Sequence, residues 1–84
     1  MNVDRLNNLA VLDGAMAAME VVNALQRHSP EARVVGAAAV FRLLAEHLRL
    51  DVQGAMSATS NLMNHADGRR PEFAAVSEYI SKEL

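Results

Sequence analysis

The stretch VVGAAAVF, residues 34–41, carries no charged side chain and no side chain that forms hydrogen bonds. Gly and Ala make up half of it, so the stretch is both apolar and thin. A helix of this kind has no side suited to water, and its small residues allow neighbouring helices to approach closely. Gly36 favours such packing, because glycine is a poor helix former and needs another reason to stand there. We therefore expect neighbouring helices to cover this stretch on several sides.

The rest of the composition makes such covering hard to achieve within one chain. The chain has 84 residues and is 51% hydrophobic, but only Phe41, Phe73 and Tyr79 are aromatic and many of the other apolar residues are alanine. A domain of this size buries about 60–65% of the surface that its unfolded chain exposes. Sharing a core with a second copy is one remedy for so thin a core. The composition therefore predicts a homodimer or a higher oligomer.

Charge and cysteine content narrow the class of protein. The net charge is −2, from 8 basic and 10 acidic residues, which gives no general attraction to nucleic acid. The absence of cysteine excludes a disulfide framework and a thiolate zinc site. The first residues lack the basic and apolar regions of a signal peptide, so we expect a cytoplasmic protein. The apolar run at 34–41 is much shorter than the ~20 residues of a membrane-spanning helix, and no membrane association is expected.

Capping residues divide the chain into helices with short joints. Ser29 precedes Pro30, which is the typical order of an N-cap and a first helical residue. Asp51 has the same capping role, Gly68 is a candidate left-handed C-cap, and Pro71 begins another helix. These signals predict an all-α, four-helix bundle-like single domain over residues 1–84. The predicted helices cover residues 3–28, 30–49, 51–67 and 71–83.

The first predicted helix is unusually long and is apolar over more than half of its circumference. One packed side in a four-helix monomer needs fewer apolar residues than this. Methionine suits an irregular contact between two copies, because its flexible thioether fills gaps. We therefore predict that this helix lies in an oligomer interface. The predicted interface residues are Ala15, Met16, Ala18, Met19 and Val22.

No constellation of residues points to an enzyme, a metal site or a cofactor. The three histidines fall near the ends of predicted helices, where an imidazolium complements the helix dipole. No His-x-x-x-His or Glu-x-x-His pair is present. Asp13 and Glu20 would lie about 10 Å apart along one helix, too far for a retaining glycosidase pair. Nucleophile and phosphate-loop motifs are also absent, so the sequence predicts a protein without catalytic or metal-binding residues.

One segment resembles a known binding motif. Residues 43–63, LLAEHLRLDVQGAMSATSNLM, are similar to a helix-turn-helix, with Ala45 at the small position of the first helix and Leu50 after the turn. The resemblance implies contacts to bases or phosphates from a second helix capped by Asp51. The implied contact residues are Gln53, Ser57 and Asn61, with Arg69 and Arg70 nearby.

The segment also departs from the helix-turn-helix pattern. Arg49 stands where the turn normally has glycine, and Ala55 and Ala58 replace the larger branched residues that anchor a recognition helix. The exposed side of the second helix has no Arg or Lys, although phosphate contacts supply most of the affinity in such motifs. Two adjacent helices with a short joint occur in any helical bundle, so the segment also has a purely structural interpretation.

Together these patterns predict a non-enzymatic helical protein–protein interaction module. It would act as a homo-oligomeric regulator, adaptor or inhibitor that binds a protein partner. The uncharged side of the third predicted helix, with Gln53, Ser57 and Asn61, could contact such a partner without burying charge. Two alternatives stay open: a DNA-binding transcriptional regulator that uses residues 43–63, and a small-ligand binder with its site at the oligomer seam.

Overall fold

The computed structural model describes all 84 residues and is a mostly helical, compact single domain. This confirms the predicted fold class in its coarse form, although the number of helices is five and a small hairpin is added. The helices are α1 (Val3–Asn7), α2 (Val11–Ala24), α3 (Pro30–His47), α4 (Val52–Met63) and α5 (Pro71–Glu83). The hairpin consists of β1 (Asn64–His65) and β2 (Gly68–Arg69), which are antiparallel.

The predicted starts of three helices are confirmed, and side chains explain two of them. The Ser29 hydroxyl accepts a hydrogen bond from the main-chain N–H of Ala32 at 3.2 Å. The Asp51 carboxylate accepts one from the N–H of Gly54 at 2.8 Å. Pro71 is the first residue of α5. These contacts satisfy N–H groups that have no partner within the helix, so they determine where each helix begins.

The prediction of one helix over residues 3–28 is wrong, because the chain turns between α1 and α2. The Asn8 side-chain amide donates to the main-chain oxygen of Asp4 at 3.0 Å, which is the acceptor that a continuing helix would use. The short α1 then packs against α4. A Cβ atom placed on Gly54 would lie 3.3 Å from Cγ2 of Val3, so glycine permits the close approach of these two helices.

The predicted helix over residues 51–67 also ends earlier than expected. α4 stops at Met63, and the hairpin pairs Asn64 with Arg69 and His65 with Gly68. Gly68 has φ of +132°, which glycine adopts readily and other residues do not. Gly68 therefore turns a hairpin and does not cap a helix.

α3 ends two residues before the predicted boundary at residue 49. Arg49 has φ of +57°, the left-handed conformation that glycine usually supplies after a helix. The N–H of Leu50 donates to the carbonyl of Ala45 at 2.8 Å, and the N–H of Arg49 donates to that of Glu46 at 3.1 Å. This double closure ends α3 and turns the chain towards Asp51, the N-cap of α4.

The core of the domain lies where α2 packs against α5. Ala15 and Val22 of α2 are buried together with Phe73 and Val76 of α5. The Tyr79 hydroxyl ties the same two elements together, because it donates to Oδ1 of Asn23 at 2.8 Å and accepts from the Gln26 amide at 3.1 Å. Only seven residues of the chain are buried, and the other three are alanines. The core is therefore small and thin, as the alanine content predicted.

The expectation that neighbours cover residues 34–41 on several sides is wrong for a single chain. Val34 is 70% exposed and Val35 is 66% exposed, since α3 packs substantially only against α4. The molecule is a flat slab of 33 × 31 × 17 Å with the middle of α3 open to water. Neither α3 nor any other helix has the length and hydropathy needed to cross a membrane.

Candidate functional site

The main concave feature of the molecule is an apolar groove that separates α3 from α2 and α5. We call it the α3 groove. α4 contacts both α2 and α3 and joins the two walls. The groove has a volume of about 820 Å³, and 17 of its 21 lining residues are hydrophobic. Representative lining residues are Val21 of α2, Val34 and Phe41 of α3, Met56 and Met63 of α4, and Ile80 of α5.

α3 stands away from α2 and α5 because only its ends are fastened. At its beginning, the Arg33 guanidinium donates three hydrogen bonds to main-chain oxygens. The acceptors are Leu25 at 3.1 Å, Gln26 at 3.0 Å and Leu84 at 3.2 Å, which follow α2 or end α5. At its other end, the buried Ala45 lies on the part of the helix that leads into α4. The middle of α3 therefore spans an opening that its own chain does not fill.

The chemistry of the α3 groove is almost purely apolar. Thr59 is one of its few polar lining residues, and its hydroxyl already donates to the carbonyl of Ala55 at 2.8 Å. Arg69 is the only charged residue in the lining, and its Nε donates to Oδ1 of Asn64 at 2.8 Å. The groove therefore presents apolar contact area with very few free polar groups. It suits an uncharged apolar surface.

The residues of the predicted oligomer interface lie mostly inside the chain. Ala15 and Val22 belong to the buried core, and Ala18 and Met19 are partly buried against it. Met16 alone remains largely open, at 58% exposure. We predicted that a second copy covers this side of α2. In the structure, α5 of the same chain covers it. Whether α2 takes part in an oligomer stays a prediction.

The candidate partner or DNA contacts fall into two groups. Gln53, Ser57 and Asn61 are exposed on successive turns of α4, so the structure brings these three side chains to one face. Arg69 and Arg70 follow α4 in the hairpin and the joint to α5. Arg70 is half-buried, and its Nε is enclosed without a hydrogen-bond partner. Of the two arginines, only Arg69 is exposed.

The segment that resembles a helix-turn-helix forms two helices joined by residues 48–51. Ala45, which matches the small position of the motif, and Ala55 and Ala58, which depart from the motif, are all buried. Arg49 adopts the left-handed conformation expected of the turn residue that it replaces. The segment therefore has the order of helix, turn and helix that the motif requires, without basic residues on the exposed face of α4.

The histidines and carboxylates do not form a cluster. No three side chains among His, Cys, Asp and Glu come close enough to hold a metal ion. His65 makes a local contact instead, because its Nδ1 accepts the N–H of Asp67 at 3.1 Å within the hairpin.

Sequence reasoning missed the α3 groove, although it identified the stretch that forms one wall. The charge-free run at residues 34–41 was the available signal. The opposite wall includes Ile80 of α5 and Leu84, which follows α5. Comparison with protein-family models, curated proteins and solved structures finds no match to this chain.

Proposed function

We propose that the protein is a non-enzymatic helical interaction module that acts by binding proteins, as a homo-oligomeric regulator, adaptor or inhibitor. The α3 groove is the observation that carries this proposal. Exposed apolar surface that is continuous over several elements is typical of protein-binding sites. Here it runs along the middle of α3 and across to Val21 and Ile80, both of which are exposed.

The composition of the α3 groove favours a protein over a small ligand. Small-molecule sites combine apolar walls with a few converging polar groups that orient the ligand. In this groove the Thr59 hydroxyl and the Arg69 Nε are already engaged within the chain, so only the Ser77 hydroxyl and the terminal nitrogens of Arg69 are free. An apolar helix needs no such orienting groups, because its own backbone is hydrogen-bonded and its side chains supply the contact.

Site-specific photo-crosslinking in the producing cell tests this proposal. A photoreactive amino acid in place of Ile80 lies in the groove, whereas the same amino acid in place of Lys82 lies outside the groove on an exposed part of α5. We expect irradiation to join the Ile80 position to a protein chain, identified by mass spectrometry, and the Lys82 position to give far less product. Adducts with lipids or metabolites alone would contradict the proposal and favour a small-ligand binder, and the absence of any adduct would also contradict the proposal.

DNA binding is a second candidate, supported by the shared exposed face of Gln53, Ser57 and Asn61. A DNA regulator should shift random duplex at roughly 50 mM salt and lose it steeply by about 200 mM, because counterion release dominates such binding. Replacing Arg69 and Arg70 with alanine should weaken the shift for all sequences. The absence of any shift at low salt and high protein concentration excludes this candidate.

A further inference from the structure

We infer that a second copy of this chain fills the α3 groove, with its own α3 as the inserted segment. Each copy's α3 would then lie in the groove of the other, as twofold symmetry requires when both copies use the same surface. The inference rests on the proposed function and names the first protein that the groove binds. Three observations carry it: the surface area of the chain, the charge distribution of its helices and the side-chain order along α3.

The surface area of the single chain matches what a stable dimer needs. The chain exposes 6118 Å², whereas a globular monomer of 9.1 kDa exposes about 4,900 Å². The excess is therefore about 1,200 Å² for each chain, which corresponds to about 2,400 Å² buried by a symmetric pair. This area falls in the range of obligate homodimers and well above that of weak encounters.

The charge distribution identifies α3 as the inserted segment. Apart from Arg69, the lining of the groove offers no partner for a charge that enters it, so most of the buried surface of the occupant must be uncharged and apolar. The exposed side of α2 carries Asp13 and Glu20, and that of α5 carries Glu78 and Lys82. Residues 34–41 of α3 carry no charge at all and are largely exposed.

α3 runs along most of the width of the molecule. Its 18 residues span about 27 Å, close to the 31–33 Å width of the slab. The charged residues of its exposed surface gather on one side, about a quarter turn around the helix from the residues that line the groove, so they lie at the rim of the covered side. These residues are Glu31, Arg42 and Glu46.

The order of side chains along α3 fits an antiparallel pair of α3 helices. Val34, Ala38 and Phe41 all line the groove, with the small residue between the two larger ones. In an antiparallel pair centred between Ala37 and Ala38, Val34 of each copy lies opposite Phe41 of the other, and each Ala38 lies about 0.75 Å along the helix axis from the crossing point. The two Ala38 residues then meet at the crossing point, where small side chains allow the backbones to approach closely. On each side of the crossing point, Val34 of one copy then packs against Phe41 of the other copy.

Two neighbouring valines provide a matched test of this interface. Val34 faces the groove and is 70% exposed, whereas Val35 lies on the charged side of the helix and is 66% exposed. Because both are open in the single chain, a glutamate at either position leaves the fold of one copy intact. Burial of an unpaired carboxylate in the dimer should raise the Kd of Val34→Glu by about 100-fold or more. Val35→Glu should change it by less than about fivefold.

Sedimentation equilibrium between about 1 and 100 µM, with helical circular dichroism as the folding control, measures these effects. The wild-type protein should have twice the mass of the 9.1 kDa chain. A monomeric wild type at the highest concentration overturns the inference, and so do equal effects of the two valine variants. If the Ile80 crosslinker captures a different protein while the wild type is monomeric, the proposed binding of a protein partner survives without the homo-oligomer, and this inference fails. If it captures no protein either, both fail.

A disulfide test identifies the inserted segment even if Val34→Glu does not fold. The chain has no cysteine, so single-cysteine variants report one position without background. Ala38→Cys should oxidise to an interchain disulfide, because the two copies of this position meet at the crossing point. Ala39→Cys, which is exposed on the other side of the helix, should form far less. Equal crosslinking at both positions, or none at Ala38→Cys, contradicts the pairing of two α3 helices.

Discussion

The α2–α5 contact and the middle of α3 contain similar apolar residues, but these residues are buried in the first region and exposed in the second. Val22 of α2 is 6% exposed, whereas Val34 of α3 is 70% exposed. The difference is one of topology. α2 and α5 lie side by side along their length, while α3 is fastened only at its two ends. Apolar content therefore predicts that a helix needs covering, and chain connectivity decides whether its own chain can do so.

The polar contacts of the two regions reinforce this difference. Tyr79 joins α5 to Asn23 and Gln26, beside the apolar contact of α2 with α5. Arg33 instead holds α3 from one end, through carbonyl oxygens at the end of α2 and at Leu84. A fastening of this kind fixes the position of α3 without closing the space beside it. The open groove is thus a consequence of where the polar anchors lie.

The largest expected effect contrasts two phenylalanines, one in each region. Phe73 is buried in the α2–α5 core, and Phe73→Ala should cost about 3–5 kcal/mol, a large part of the stability of so small a domain. Phe41 is only partly buried in the wall of the groove, so Phe41→Ala should keep the helical fold and weaken self-association. Circular dichroism and sedimentation measure the two effects. A Phe41→Ala variant that unfolds as readily as Phe73→Ala would show that α3 belongs to the core of the single chain.

The parts of the fold that were predictable from the sequence are those that depend on local contacts. Ser29 and Asp51 cap helices through main-chain groups only three residues away, so their position in the sequence is enough to identify them. The break after Asn8 is also local, but asparagine occurs both inside helices and in turns. The hairpin from Asn64 to Arg69 has too few residues for an alternating pattern to reveal it.

The candidate site could be predicted only in part, because its walls come from distant parts of the chain. Apolar periodicity showed that α2 needs a covering neighbour, and the prediction assigned that neighbour to a second copy. The structure places Phe73 and Val76 of the same chain there. Periodicity marks a side that will be buried but does not name the partner, which depends on how α5 folds back. The charge-free run of α3 led to the expectation of neighbours on several sides, and the structure shows that the chain itself does not supply them.

A smaller loss of stability is expected when Arg33, which holds the beginning of α3, is replaced. Arg33→Met removes three hydrogen bonds to main-chain oxygens and should cost about 2 kcal/mol. Arg42→Met is the matched control, because Arg42 is exposed on the same helix and makes no hydrogen bond or ion pair within the chain, so it should cost less than about 0.5 kcal/mol. Urea unfolding measures both, and hydrogen exchange should show faster opening at the start of α3 in Arg33→Met. Equal losses in the two variants would mean that α3 is held by contacts along its length.

The smallest expected effects on the free energy of unfolding come from replacing Gly14 or Gly36 with alanine. The two substitutions should change this free energy in opposite directions. A Cβ on Gly14 would lie 3.0 Å from Cδ2 of Leu62 and 3.4 Å from Cζ of Phe73, because α2, α4 and α5 meet there. A Cβ on Gly36 would have only Cδ2 of Leu25 near it, at 3.9 Å. Alanine favours a helix over glycine by about 1 kcal/mol at either site. At Gly14 the crowding costs about 1–3 kcal/mol and outweighs that gain.

Gly14→Ala should therefore lower the free energy of unfolding by up to about 2 kcal/mol, and Gly36→Ala should raise it by about 0.5–1 kcal/mol. Urea unfolding of both variants gives the two signs, and sedimentation shows whether self-association changes. Gly36 lies away from the side of α3 that carries Val34, Ala38 and Phe41, so the dimer should tolerate the added methyl group. If Gly36→Ala is destabilising instead, a neighbour from outside the chain must press on that side of α3 as well. The second copy would then wrap around the helix on more than the groove side, which is the covering that the run of small residues first led us to expect.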